Sequence, residues 1–184
     1  MEPDFPTLVS LACHDLRTPL ATVQGFAKTL LRRGEADEQA ERWLQLIDSA
    51  SDELVSLLDQ VALAARIESG RYEPVTREID SLELARAAVP DATGEGAPVQ
   101  VDVDATETAL AALVRAAARH GGVDVSVAVR GDQVELGPLT AEAAPVVLGD
   151  ELKDLGAAVA LRVVRALGGS VVADDGRLLV RLPT

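Results

Sequence analysis

Aromatic side chains are nearly absent from this 184-residue chain, which holds one Trp, one Tyr and two Phe. A core without large rings must be built from Leu, Val and Ala, which suits helical bundles and small α/β layers. Cysteine is almost absent too. The single Cys13 excludes an internal disulfide and is compatible with a reducing cytoplasm. Basic residues are scarce: 17 Lys and Arg stand against 30 Asp and Glu, for a formal net charge of −13. Without a basic stripe to neutralise phosphates, a nucleic-acid role is excluded. No run approaches the roughly 18 apolar residues that span a bilayer, and the first residues lack the basic-plus-apolar pattern of a signal peptide. The expectation is a cytoplasmic chain with no membrane sensor of its own.

What is present is apolar patterning. Hydrophobic residues make up 48% of the chain, and the length suffices for one or two small domains. Charge is uneven. Residues 1–33 hold three acidic side chains (Glu2, Asp4, Asp15) and four basic ones (Arg17, Lys28, Arg32, Arg33), while the remainder holds 27 acidic and 13 basic. An acidic partner could therefore approach the first helix without strong local repulsion.

That helix is predicted to start near Asp4 or Thr7 and to end at Arg32-Arg33, with Gly34 as a left-handed cap and a kink at Pro19. Val9, Ala12, Leu16, Leu20, Val23, Ala27 and Leu30 fall in a narrow arc at about 100° per residue. Cys13 falls toward this arc and reads as a small core hydrophobe. His14 lies roughly 160° from its centre, with Thr18 one turn later. Asp15 and Arg17 flank the pair, and Ala21 and Gly25 continue the same face with little bulk. A second helix is predicted over Glu38–Glu68, where Trp43, Ile47, Ala50, Leu54, Leu57, Val61 and Ala65 step by threes and fours. One such hairpin cannot enclose its apolar stripe. Two can, as a four-helix bundle, so a homodimer is expected.

A linker is read at Tyr72-Glu73-Pro74. It divides residues 1–72, a helical hairpin, from residues 73–184, an α/β layer. Helices are predicted over 81–89, 106–120 and 155–167. Strands are predicted over 99–103, 123–130, 133–136, 170–173 and 177–182. Asp174-Asp175-Gly176 reads as hairpin turn chemistry. Asp102 and Asp104 alternate on the predicted strand and face solvent rather than a metal. His120 reads as structural.

By itself an exposed histidine is a solvated side chain. The run His14-Asp15-Leu16-Arg17-Thr18-Pro19-Leu20 changes that reading. It resembles, at all seven positions, the H-box of the dimerisation and histidine-phosphotransfer domain of two-component histidine kinases. The resemblance implies that His14 is the phosphoacceptor, that Asp15 assists it, and that Asp15 with Thr18 forms the phosphatase motif. Arg17, Ala21 and Gly25 are the expected docking positions for a partner.

The second half resembles the family's ATP-binding domain, most closely at Asp154-Leu155-Gly156-Ala157-Ala158-Val159-Ala160 and Gly168-Gly169. The positions implied to do chemistry are degraded. Ala112 and Ala116 stand where the family has asparagines, the second of which holds magnesium; alanine offers a hard cation no oxygen. In Glu135-Leu136-Gly137-Pro138-Leu139 a leucine replaces a glycine, and the adenine-reading aspartate is lengthened to Glu135. Asp154 replaces a glycine where phosphates would pass. The segment standing for the ATP lid, Thr140 to Asp150, is short.

The fold expected is thus α plus α/β: a hairpin forming a dimeric four-helix bundle, followed by an α/β sandwich resembling the histidine-kinase ATPase domain. The function expected is a histidine phosphotransferase that passes phosphoryl groups between response-regulator receiver domains through His14, with receiver phosphatase activity a further expectation. A hybrid histidine kinase is another candidate partner. No cofactor is expected on this chain, and magnesium only on the partner receiver. Two alternatives stand: an ATP-using kinase core with a divergent site, and a non-enzymatic dimeric scaffold for two-component proteins.

Overall fold

The computed structural model describes residues 5–33 and 37–184. The chain divides into two compact units, Met1–Arg71 and Tyr72–Thr184.

The first unit is an antiparallel hairpin of α1 (Phe5–Arg33) and α2 (Glu38–Glu68). Pro19 sits inside α1 without ending it. Asp4 and Gly34, assigned above to the ends of the first helix, lie outside the described residues. Asp37 caps α2 by accepting from the Ala40 N–H at 2.8 Å. The helix closes at Ser69 and at Gly70, whose φ of 66° suits glycine. Among the described residues, no helix is long and apolar enough to cross a membrane.

The second unit runs β1 (Thr76–Asp80), α3 (Ser81–Ala88), β2 (Thr93–Gly96), β3 (Pro98–Asp102), α4 (Val103–Gly121), β4 (Ser126–Gly131), β5 (Gln133–Gly137), α5 (Ala144–Leu148), α6 (Leu155–Ala166), β6 (Ser170–Asp174) and β7 (Arg177–Arg181). A five-stranded sheet has the order β2-β4-β5-β7-β6, parallel only between β2 and β4. β1 and β3 form a separate antiparallel pair. Val127, Val129, Val134, Leu136, Leu178 and Val180 are buried on one face of the sheet, and Leu110, Leu113, Val163 and Val164 of α4 and α6 are buried with them in the core. Strand alternation sends Arg130, Gln133, Glu135, Arg177 and Arg181 to the other face.

Several elements differ from the sequence reading. β3 ends at Asp102, and α4 begins at Val103 rather than near Thr106. Asp102 and Asp104 therefore do not alternate on a strand. Asp102 is the N-cap of α4, accepting from the Ala105 N–H at 3.3 Å, and Asp104 lies in the first helical turn. Asp102 also accepts from the Tyr72 hydroxyl and the Val75 N–H, so the Tyr72–Val75 segment is held on the second unit. β1, β2 and α5 had no counterpart in the sequence reading. β2 reads Thr-Gly-Glu-Gly, a poor strand by propensity. A Cβ on Gly94 would stand 2.1 Å from the Val129 carbonyl oxygen, so close backbone approach requires glycine there. Asp175 and Gly176 make the β6–β7 turn with φ of 43° and 68°, as the turn chemistry predicts.

Candidate functional site

α1 presents three faces. The first packs on α2 and buries Cys13 and Ala27, with Leu20 and Leu31 half-buried. Its border is polar. Arg17 pairs with Asp59 at 2.5 Å, Gln24 donates to Asp52, and Lys28 lies 3.5 Å from Asp48. The steps 17–24–28 on α1 mirror 59–52–48 on α2, as an antiparallel ladder requires. This ladder was missed in the sequence, although the matched spacing is its signal.

The second face is apolar and open. Leu16, Val23 and Leu30 repeat every seven residues and are 55%, 50% and 46% exposed, with Phe26 beside them. Leu16, Val23 and Leu30 lie about 60° around α1 from Cys13, Leu20 and Ala27. α2 matches this arrangement. Leu44, Ser51, Val55, Leu58 and Ala65 turn toward α1, whereas Trp43, Ile47, Leu54 and Leu57 remain exposed. The predicted seam on α2 is therefore mostly not the intrachain contact. Ala65 alone is buried.

The third face carries His14, Thr18, Ala21 and Gly25, all exposed. His14 lies about 150° from the mean direction of the other two faces, so it projects away from both. Thr22 and Thr29 spend their hydroxyls on the carbonyls of Thr18 and Gly25, at 3.1 and 2.7 Å. Among the described residues, the Thr18 hydroxyl makes no such back-bond. Nothing lies within 4 Å of a Cβ placed on Gly25, so the strip beside His14 is low and unobstructed. The backbone of residue 15 belongs to α1, but the Asp15 side chain lies outside the described residues. Arg17, expected to meet a partner, has a partner inside the chain.

In the second unit, the positions that resemblance assigned to nucleotide are occupied as follows. Ala112 and Ala116 are buried in α4, which packs on α6, and present only methyl groups. Glu135 lies on the sheet face away from the core and is 4% exposed. Arg130 and Arg177 pair with it at 3.4 and 3.3 Å. The core-facing neighbour is Leu136, so the strand offers no carboxylate on the inner face. Asp154 caps α6, accepting from the Ala157 N–H at 3.0 Å, and its other oxygen lies 3.3 Å from Arg119 and 3.5 Å from His120. The helix N-terminus, where a phosphate would be favoured, is thus filled by the chain's own carboxylate. Ala112 and Ala116 offer no oxygen to a magnesium ion.

Residues 7–70 match the His Kinase A (phospho-acceptor) domain. The hairpin is therefore similar to the phosphoacceptor domain of two-component histidine kinases. Two relatives from Mycobacterium tuberculosis support it. The probable sensor histidine kinase TcrY is 35% identical over 85 residues, which are 46% of this chain and 18% of that protein. The sensor histidine kinase TrcS is 36% identical over 83 residues, 44% of this chain and 16% of that protein. The matched segment is thus less than a fifth of either relative. The fold is shared with full-length ShkA in complex with AMPPNP, with a TM-score of 0.70 and 20% identity over 97% of this chain and 46% of that one. It is also shared with the Acinetobacter baumannii histidine kinase AdeS, with a TM-score of 0.55 and 20% identity over 92% and 97% of the two chains. A phosphoacceptor hairpin followed by an ATPase-like α/β unit is the core architecture of a sensor histidine kinase. That agrees better with the kinase-core alternative than with a dedicated phosphotransferase.

Proposed function

We propose that this chain is a histidine-kinase-type core that exchanges phosphoryl groups between His14 and receiver domains, and takes them from a receiver rather than from ATP. One observation carries the reading: His14 stands exposed over a low strip, while Ala112 and Ala116 present only methyl groups and Asp154 fills the α6 N-terminus.

The chemistry needs no nucleotide on this chain. A ring nitrogen of neutral His14 attacks the phosphorus of a receiver aspartyl phosphate. The N–P bond forms as the P–O bond breaks, and the electron pair leaves on the receiver carboxylate. The proton on the other ring nitrogen is held by a neighbouring carboxylate, the role that resemblance gives Asp15. Transfer onward reverses these steps at a second receiver. Thr18 positions a water for hydrolysis of the receiver phosphate. The open apolar faces of α1 and α2, beside the intrachain contact, support a homodimer in which two hairpins close a four-helix bundle.

A second reading has its own support. The relatives are sensor histidine kinases, and the fold matches a chain solved with AMPPNP. On that reading ATP supplies the phosphoryl group. The experiment that separates the two mixes wild-type protein and His14→Gln with labelled ATP in one arm and labelled phospho-receivers in the other. Label reaching wild type only from receivers supports the first reading, and label from ATP supports the second. Equal behaviour of wild type and His14→Gln in both arms removes both and leaves the scaffold.

A further inference from the structure

Arg17 stands three residues after His14, within the i,i+3 reach of neighbouring side chains on a helix surface. Its guanidinium is committed to Asp59 of α2. The pair is open to water, with side-chain exposures of 40% and 59%. Such pairs hold weakly. A phosphoryl group on His14 would bring a stronger acceptor, with several oxygens and greater charge, to the same helical surface. Resting on the reading of His14 as phosphoacceptor, we propose that Arg17 is a two-position residue. It ties α1 to α2 through Asp59 while His14 is bare, and it turns to the phosphoryl group once His14 carries one.

Asp59 then competes with the phosphoryl group for one guanidinium. By linkage, whatever removes Asp59 favours the phosphorylated form, and phosphorylation loosens the Arg17–Asp59 tie. Arg17 acts through its charge and fork and takes no part in bond making. It is a positioning residue that couples the state of His14 to the hairpin.

The test is a double-mutant cycle on the full chain. A receiver that labels wild-type His14 is brought to equilibrium with wild type, Asp59→Asn, Arg17→Gln and the double variant, and the fraction of label on His14 is read. Circular dichroism confirms that each variant folds. Asp59→Asn is expected to raise the partition toward His14 by roughly two- to fivefold, the range an exposed ion pair commands. Arg17→Gln is expected to lower it, and the double variant to match Arg17→Gln. The side-chain Nε resonance of Arg17 should also move on phosphorylation in wild type. A labelled wild type with an unchanged partition in Asp59→Asn overturns this inference alone, as does an Asp59→Asn effect that persists without Arg17. A wild type that takes no label from any receiver of the same organism overturns the phosphoacceptor reading, and this inference with it.

Discussion

Glu135 and Leu136 are adjacent in β5 and face opposite sides of the sheet, the glutamate to Arg130 and Arg177 and the leucine to the core. The pleat sets this, since successive side chains must alternate. Glu135 is therefore a cross-strand tie between β4, β5 and β7. Glu135→Gln should keep the shape but weaken both pairs, lowering stability by about 1–2 kcal/mol, because both arginines are substantially exposed. Urea denaturation measures this. No loss of stability would show that the pairs do not hold the sheet.

ATP with magnesium should give no binding heat in calorimetric titration. Ala116→Asn alone should not restore it, because Ala112 still lacks an oxygen and Asp154 still fills the α6 N-terminus. A micromolar dissociation constant for wild type would favour the ATP-using reading.

Asp154→Ala should remove a helix cap and leave Arg119 and His120 without their shared carboxylate. The expected cost is about 1–2 kcal/mol. Thermal unfolding by calorimetry reads it, and an unchanged midpoint would show that α6 needs no cap.

Leu54→Glu should place a charge in the open seam of α2 and split the dimer. Leu54 is half exposed in the single chain, so folding of the hairpin itself should survive. Light scattering at micromolar concentration decides this. A monomeric wild type would refute the bundle.

Thr18→Ala should part company with His14→Gln. Phosphoryl transfer should persist, while release of free phosphate from receivers falls by roughly tenfold or more, the scale of a lost positioning group. Following labelled receivers and free phosphate together measures both. Equal loss of transfer in the two variants would assign Thr18 a different role.

The sequence by itself determined the hairpin, its helical periods, the outward face of His14 and the glycine-bearing turn at Asp175-Gly176. These are local properties: a 3.6-residue period and a positive φ are written in neighbouring residues. It also held the 17–24–28 and 59–52–48 ladder, legible once the two helices are known to run antiparallel. Only the tertiary structure decided the rest. β2 exists because Val129 lets a glycine strand come close, a long-range fit with no local propensity behind it. Asp102 ends β3 and also caps α4, because the helix follows the strand with no intervening loop. Glu135 faces Arg130 and Arg177 because sheet register, set by pairing with β4 and β7, decides which face a side chain takes. Arg17 met Asp59 because the fold brings together side chains 42 residues apart, a distance over which sequence pattern carries no direct force.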